Sequence, residues 1–154
     1  MTSVNDRLKA AGIILPEPAA AVANYVPYLQ TGKLVYISGQ LPLKDGQPAF
    51  TGKVGKDVSA DEATEAARYC AINLVAQVRA ALGGNLERVS RVVKLTAFIA
   101  STNEFTGQPQ VANGASDLMV EIFGDKGRHT RAAVGTNVLP LDAPVEIEAV
   151  FEVD

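Results

Sequence analysis

Ser59-Ala60-Asp61-Glu62 opens the longest helix-like run in the chain, and that run restricts the folds available to it. The serine hydroxyl can accept a bond from the free backbone N–H three residues on, while Glu62 reaches back to the amide of Ser59. From there to about residue 82, Ala63, Ala66, Ala67, Cys70, Leu74 and Val78 fall on one face. Gly83-Gly84 ends the run. A helix with a single apolar stripe must bury it against a second layer. Residues 91–100, rich in Val, Leu and Phe and only loosely alternating, read as a strand of that layer, buried on both faces. Ser101-Thr102-Asn103-Glu104 offers a second capping box. A second long helix is expected over about residues 110–123, although Gly114 within it costs about 1 kcal/mol relative to alanine.

The flanking segments fit the same plan. Residues 3–11 read as a short amphipathic helix stopped at Gly12, and residues 16–23 as a linker-like entry rich in proline and alanine. Residues 25–30 and 33–38 read as two strands joined by a tight turn at Thr31-Gly32. Residues 42–56, with Asp45-Gly46, Pro48 and further glycines, read as a loop with room for one short strand. Two more strands begin at Arg131 and Val145. The sum is an α+β order in which two long helices cover one face of a mainly antiparallel sheet. No internal repeat or low-complexity tract interrupts it. Residues 1–154 are read as one domain, with 1–20 as an N-terminal extension.

Composition narrows the partners. A chain of 154 residues and 16.2 kDa can bury a real core. A net charge of −3 and a pI near 5.2 oppose a nucleic-acid surface, which needs a basic stripe. One cysteine, Cys70, excludes an intrachain disulfide, and one histidine, His129, leaves no histidine-based metal site. The polar N-terminus lacks a signal-peptide core, and no run nears the ~20 apolar residues of a membrane span. A cytoplasmic location is expected.

Chemistry concentrates in the last third. Arg131 opens a β-like run through Val134-Gly135, Leu139-Pro140 follow, and the strand from Val145 carries Glu146, Glu148 and Glu152 in an apolar stretch. A guanidinium suits a carboxylate bidentately, and a nearby carboxylate can act on water or a proton. Together these point to a small carboxylated molecule. The signal sharpens beside Asn24-Tyr25-Val26-Pro27, Ser38-Gly39-Gln40-Leu41-Pro42 and Val111-Ala112-Asn113. In this order the segments resemble the YjgF/RidA family of reactive intermediate deaminases, also called endoribonuclease L-PSP proteins, over roughly residues 20–153. The N-terminal helix is similar to that of the family's longer branch.

The resemblance implies a chorismate-mutase-like fold, a homotrimer with clefts between subunits, and no cofactor. It implies that Arg131 grips a substrate carboxylate and that Glu146 positions or activates water. Tyr25, Ser38 and Gly39 would border the ligand. Asn113 would touch it or support a residue that does. Each has a plainer reading as well: a surface ion pair for Arg131, a solvated acidic face for Glu146, a strand aromatic for Tyr25, a strand end for Ser38-Gly39, and a helix-cap or loop contact for Asn113. Ala133 stands where many deaminases have a cysteine, which leaves the substrate open but not the carboxylate anchor. Arg128 is expected to be solvated, Cys70 to be core, and His129 to lie outside the chemistry.

One geometric expectation is independent of the resemblance. If residues 131–138 and 144–153 form an antiparallel hairpin, position 146 faces about position 136, roughly 17 Å from Arg131 at ~3.4 Å per residue. A site shared by Arg131 and Glu146 would then need two subunits. Three functions follow, in order. The first is an enamine/imine deaminase converting 2-aminoacrylate-type intermediates to 2-keto acids and ammonia. The second is a trimer that binds a small carboxylate such as a 2-keto acid without turnover. Third is an endoribonuclease, disfavoured by the acidic balance. Neither nucleic acid nor membrane is an expected partner.

Overall fold

The computed structural model describes residues 2–154. Ser3 caps helix α1 (Val4–Ala10): its hydroxyl accepts from the Asp6 amide, and the Asp6 carboxylate accepts from the Ser3 amide. Val4 and Leu8 are buried, and Gly12 ends the turn at φ +70°. Strands β1 (Tyr28–Thr31) and β2 (Leu34–Gln40) form a hairpin turning at Gly32-Lys33. The first strand therefore starts three residues later than expected. The chain bends through residues 22–25, and Pro27 has no N–H to give to a ladder. The following loop contains two strands, β3 (Leu43–Lys44) and β4 (Gln47–Pro48), paired around Asp45-Gly46.

Helix α2 (Ala60–Ala81) begins at the expected capping box, with both reciprocal bonds formed between Ser59 and Glu62. Every residue of its apolar stripe is buried. Strand β5 (Val89–Ala100) leads into α3 (Gln108–Phe123). The Ser101 box is not used. Gly107 stands at the N-cap without a side-chain bond, Pro109 fills the first turn, and the Ser101 hydroxyl accepts from Gln108 Nε2 at 3.2 Å. Strands β6 (Thr130–Thr136) and β7 (Val145–Val153) complete the chain.

The large sheet has the order β1-β2-β7-β5-β6, antiparallel except for the β5–β6 pair. The expected β6–β7 hairpin does not form. Helix α3 is the crossover of a βαβ unit, so it returns β6 alongside β5 in parallel. Residues 137–144 then carry the chain past β5, and β7 pairs on its other edge. This middle position between β6 and β7 was not visible in the local pattern.

Helix α2 lies over β7 and β2, and α3 over β5 and β6. The core between the layers includes Phe151, Leu74, Leu95, Ile99, Leu118, Met119 and Ile147. The two helices come into close contact at Gly114, where an added methyl would run into the carbonyl oxygen of Thr64. Among the described residues, none forms a layer on the sheet's other face. Tyr36, Lys94 and Val134 are exposed there, and Thr96, Phe98 and Val150 half-buried. Strand β5 is thus covered on one face, not two. Among the described residues no helix is long and apolar enough to cross a membrane.

Candidate active site

Register decides what each functional side chain can reach. Arg131 pairs with Leu95 and Ala133 with Ala97, both buried under the helices, so Arg131 and Ala133 lie on the helix-covered face of the edge strand β6. There the guanidinium meets α3. Its Nη1 donates to Asn113 Oδ1 at 2.7 Å and to Ser116 Oγ at 3.2 Å. Asn113 and Ser116 are three apart on the helix, hence neighbours on one face. Among the described residues no carboxylate pairs with Arg131. Ala133 is half-buried, two residues along the same face of β6, and packs against the core.

His129 and Ser116 complete this cluster. His129 Nε2 lies 2.9 Å from Ser116 Oγ, and Nδ1 lies 2.6 Å from the Gly127 carbonyl oxygen. Burial pushes the imidazole's pKa below its usual 6.5, the Gly127 bond opposes that, and the Arg131 charge adds to the fall. The sequence reading missed Ser116. Its signal, a hydroxyl one turn from Asn113, acquires meaning only once α3 is known to lie beside β6.

Glu146 belongs to a second cluster. It pairs with Phe98, and its side chain stands on the face the helices leave open. The β2–β7 register shifts between Ile37 and Gln40, so Ser38-Gly39 sits in a bulge beside it. Gly39 leaves room there: a methyl on its Cα would fall on the Glu146 carboxylate, which would have to swing aside. Burial raises the pKa of Glu146 above 4.5, and the exposed Glu148 carboxylate raises it further. The Ser38 hydroxyl donates to the Val26 carbonyl at 2.7 Å and its amide to Pro27 at 2.9 Å. It thereby holds the segment that carries Tyr25. Tyr25 is 52% exposed. With Pro27, Gly39, Gln40 and Leu141 it lines a cavity of about 180 Å³, which Ala19 to Val22 of the N-terminal extension also wall.

The two clusters do not meet within one chain. Arg131 and Glu146 flank β5 on opposite edges, opposite Leu95 and Phe98. Two strand spacings across and three residues along put their Cα atoms roughly 14 Å apart, and their side chains leave opposite faces of the sheet. The separation expected from a hairpin therefore holds, for a different reason. Cys70 takes no part: its thiol is buried, points at the Val145 carbonyl, and is held protonated by desolvation.

The sequence model of the YjgF/chorismate mutase-like family, described as endoribonucleases, matches residues 5–152. This chain belongs to that family. Protein TCP17 of Trypanosoma cruzi is 47% identical over 148 residues, covering 96% of this chain and 92% of that protein. The 2-iminobutanoate/2-iminopropanoate deaminase of Salmonella typhimurium is 33% identical, covering 85% and 88%. Among solved structures, the Agrobacterium tumefaciens protein Atu1372 superposes with a TM-score of 0.93 at 50% identity, covering 98% of this chain and 92% of that one. Both the family match and this superposition include the N-terminal helix.

Proposed function

We propose that the protein hydrolyses small imines derived from 2-amino acids, releasing a 2-keto acid and ammonia. The observation that carries this reading is the guanidinium of Arg131, held by Asn113 and Ser116 on one nitrogen and unpaired with any carboxylate among the described residues. The Nε/Nη2 edge of such a group suits a carboxylate bidentately. The deaminase name carried by the Salmonella relative supports the same reaction class.

The half-buried Glu146 supplies the proton chemistry. Water adds to the carbon of the protonated C=N bond while Glu146 takes its proton, giving a neutral carbinolamine. Return of that proton to nitrogen lets ammonia leave, and the hydroxyl proton passes back to the Glu146 carboxylate as the carbonyl forms. A carboxylate with a raised pKa is better placed to take and return a proton near neutrality than an ordinary one, a contribution of about 10²–10⁴-fold. Since the two groups lie on opposite faces of one sheet, the working site forms between neighbouring copies, and a homotrimer with three clefts meets that need. The net charge of −3 opposes RNA as the substrate.

The experiment couples the purified protein to a serine or threonine dehydratase, which releases the imine, and follows keto-acid formation. Wild type should accelerate it. Arg131→Ala should raise KM at least tenfold, and Glu146→Gln should lower kcat by about 10²-fold. No acceleration by wild type overturns the enzyme reading. Binding of 2-ketobutyrate that depends on Arg131, without turnover, would make the protein a carboxylate-binding one.

A further inference from the structure

We infer that His129 is a positioning residue for Arg131, acting through the hydroxyl of Ser116. This rests on Arg131 as the carboxylate anchor and adds the device that fixes its orientation.

The direction of each bond follows from what the atoms can do. The Gly127 carbonyl only accepts, so at 2.6 Å His129 Nδ1 carries the proton. Nε2 of the neutral ring is then an acceptor, and the Ser116 hydroxyl at 2.9 Å donates to it. With its hydrogen committed, Ser116 Oγ presents lone pairs to Arg131 Nη1 at 3.2 Å. Asn113 Oδ1 accepts from the same nitrogen at 2.7 Å. Both hydrogens of Nη1 are thereby used, which fixes the guanidinium plane. Among the described residues, Nε and Nη2 have no partner. Those two donors form the edge that a carboxylate takes side by side. The chain Gly127–His129–Ser116–Arg131 thus aims that edge outward.

Neutral imidazole is the form this arrangement needs, and burial together with the neighbouring Arg131 charge favours it. Arg128 and Asp117 line the same open cavity as His129 and Arg131. Neither bonds to the imidazole or to the Arg131 guanidinium. Without the histidine, the Ser116 hydroxyl would be free to turn its hydrogen toward other acceptors, such as a carbonyl one turn back in α3. Its lone pairs would then no longer be held toward Arg131.

The test measures 2-ketobutyrate binding by titration calorimetry and KM and kcat in the dehydratase-coupled assay, with melting temperatures as a folding control. His129→Ala and Ser116→Ala should each weaken binding and raise KM by about tenfold, with kcat within about threefold of wild type. The double variant should lose no more than either single one, because both act in one chain of bonds. His129→Gln, whose amide oxygen reaches the place of Nε2, should recover most of the affinity. His129→Asn keeps only the donor to Gly127 and should not. If an alanine variant fails to fold, the Gln–Asn pair carries the same comparison. Wild-type affinity in both alanine variants, additive losses in the double variant, or equal behaviour of Gln and Asn would each overturn the inference. If Arg131→Ala retains full affinity, the anchor reading fails and takes this one with it. If Arg131→Ala loses affinity while the His129 and Ser116 variants keep it, only this one fails.

Discussion

Glu146 and Arg131 obtain their character from different surroundings. Arg131 needs acceptors to hold it, and α3 supplies two on successive turns. Glu146 needs partial removal from water, which the close backbone of Gly39 provides because no side chain intervenes. The raised pKa of Glu146 has a thermodynamic consequence. A group that binds its proton more tightly when folded makes stability fall as pH rises from about 4.5, the unfolded value, through the higher folded value. Glu146→Gln has no such step. Measured by urea midpoints, the variant should gain on wild type steadily across that window and run parallel to it at lower pH. A difference independent of pH would remove the claim that burial raises this pKa.

At the scale of elements, Gly114 shows packing overruling local propensity. In isolation, alanine would favour α3 by about 1 kcal/mol. Here a methyl would strike the Thr64 carbonyl of α2, and the helices would have to move apart. Overpacking of this kind costs typically 1–3 kcal/mol. Gly114→Ala should therefore lower the melting temperature by several degrees. A rise would mean that the helices separate at little cost. The caps behave in the opposite way. Ser3 and Ser59 act as the sequence alone says they should, since their bonds close within three residues. The Ser101 box fails because Ser101 is still bridged to Val54 and its amide donates to the Thr136 carbonyl of β6, so the helix waits for Gly107 and Pro109.

For the whole molecule, the open sheet face and the separated site halves lead to the same expectation. Tyr36, Phe98, Val134 and Val150, interspersed with Lys94, Thr96 and Glu148, leave a broad mixed surface on the face opposite the helices, with Glu146 at its margin. A closed ring of copies would bury that face, and under the proposed function it is the arrangement in which one chain's Arg131 could meet another's Glu146. Mixing Arg131→Ala with Glu146→Ala subunits should therefore restore part of the wild-type activity, since some mixed clefts receive both intact residues. Absence of complementation in proven mixed oligomers, or a fully active monomer by light scattering, would contradict the shared cleft.

Local pattern alone carried the two long helices, the cap at Ser59 and the parity of β7, since these depend on bonds a few residues long and on periodicities of 3.6 and 2. Arg131, Asn113, Ser38, Gly39 and Glu146 became candidates through the order of their motifs, which resembles the family's. The tertiary structure decided that β5 separates β6 from β7, that Arg131 and Glu146 leave opposite faces, and that Ser116 and His129 close on Arg131. The physical reason is that strand neighbours are chosen by crossover geometry and by burial of whole faces. Those terms join residues far apart in the chain, so no local run of residues expresses them.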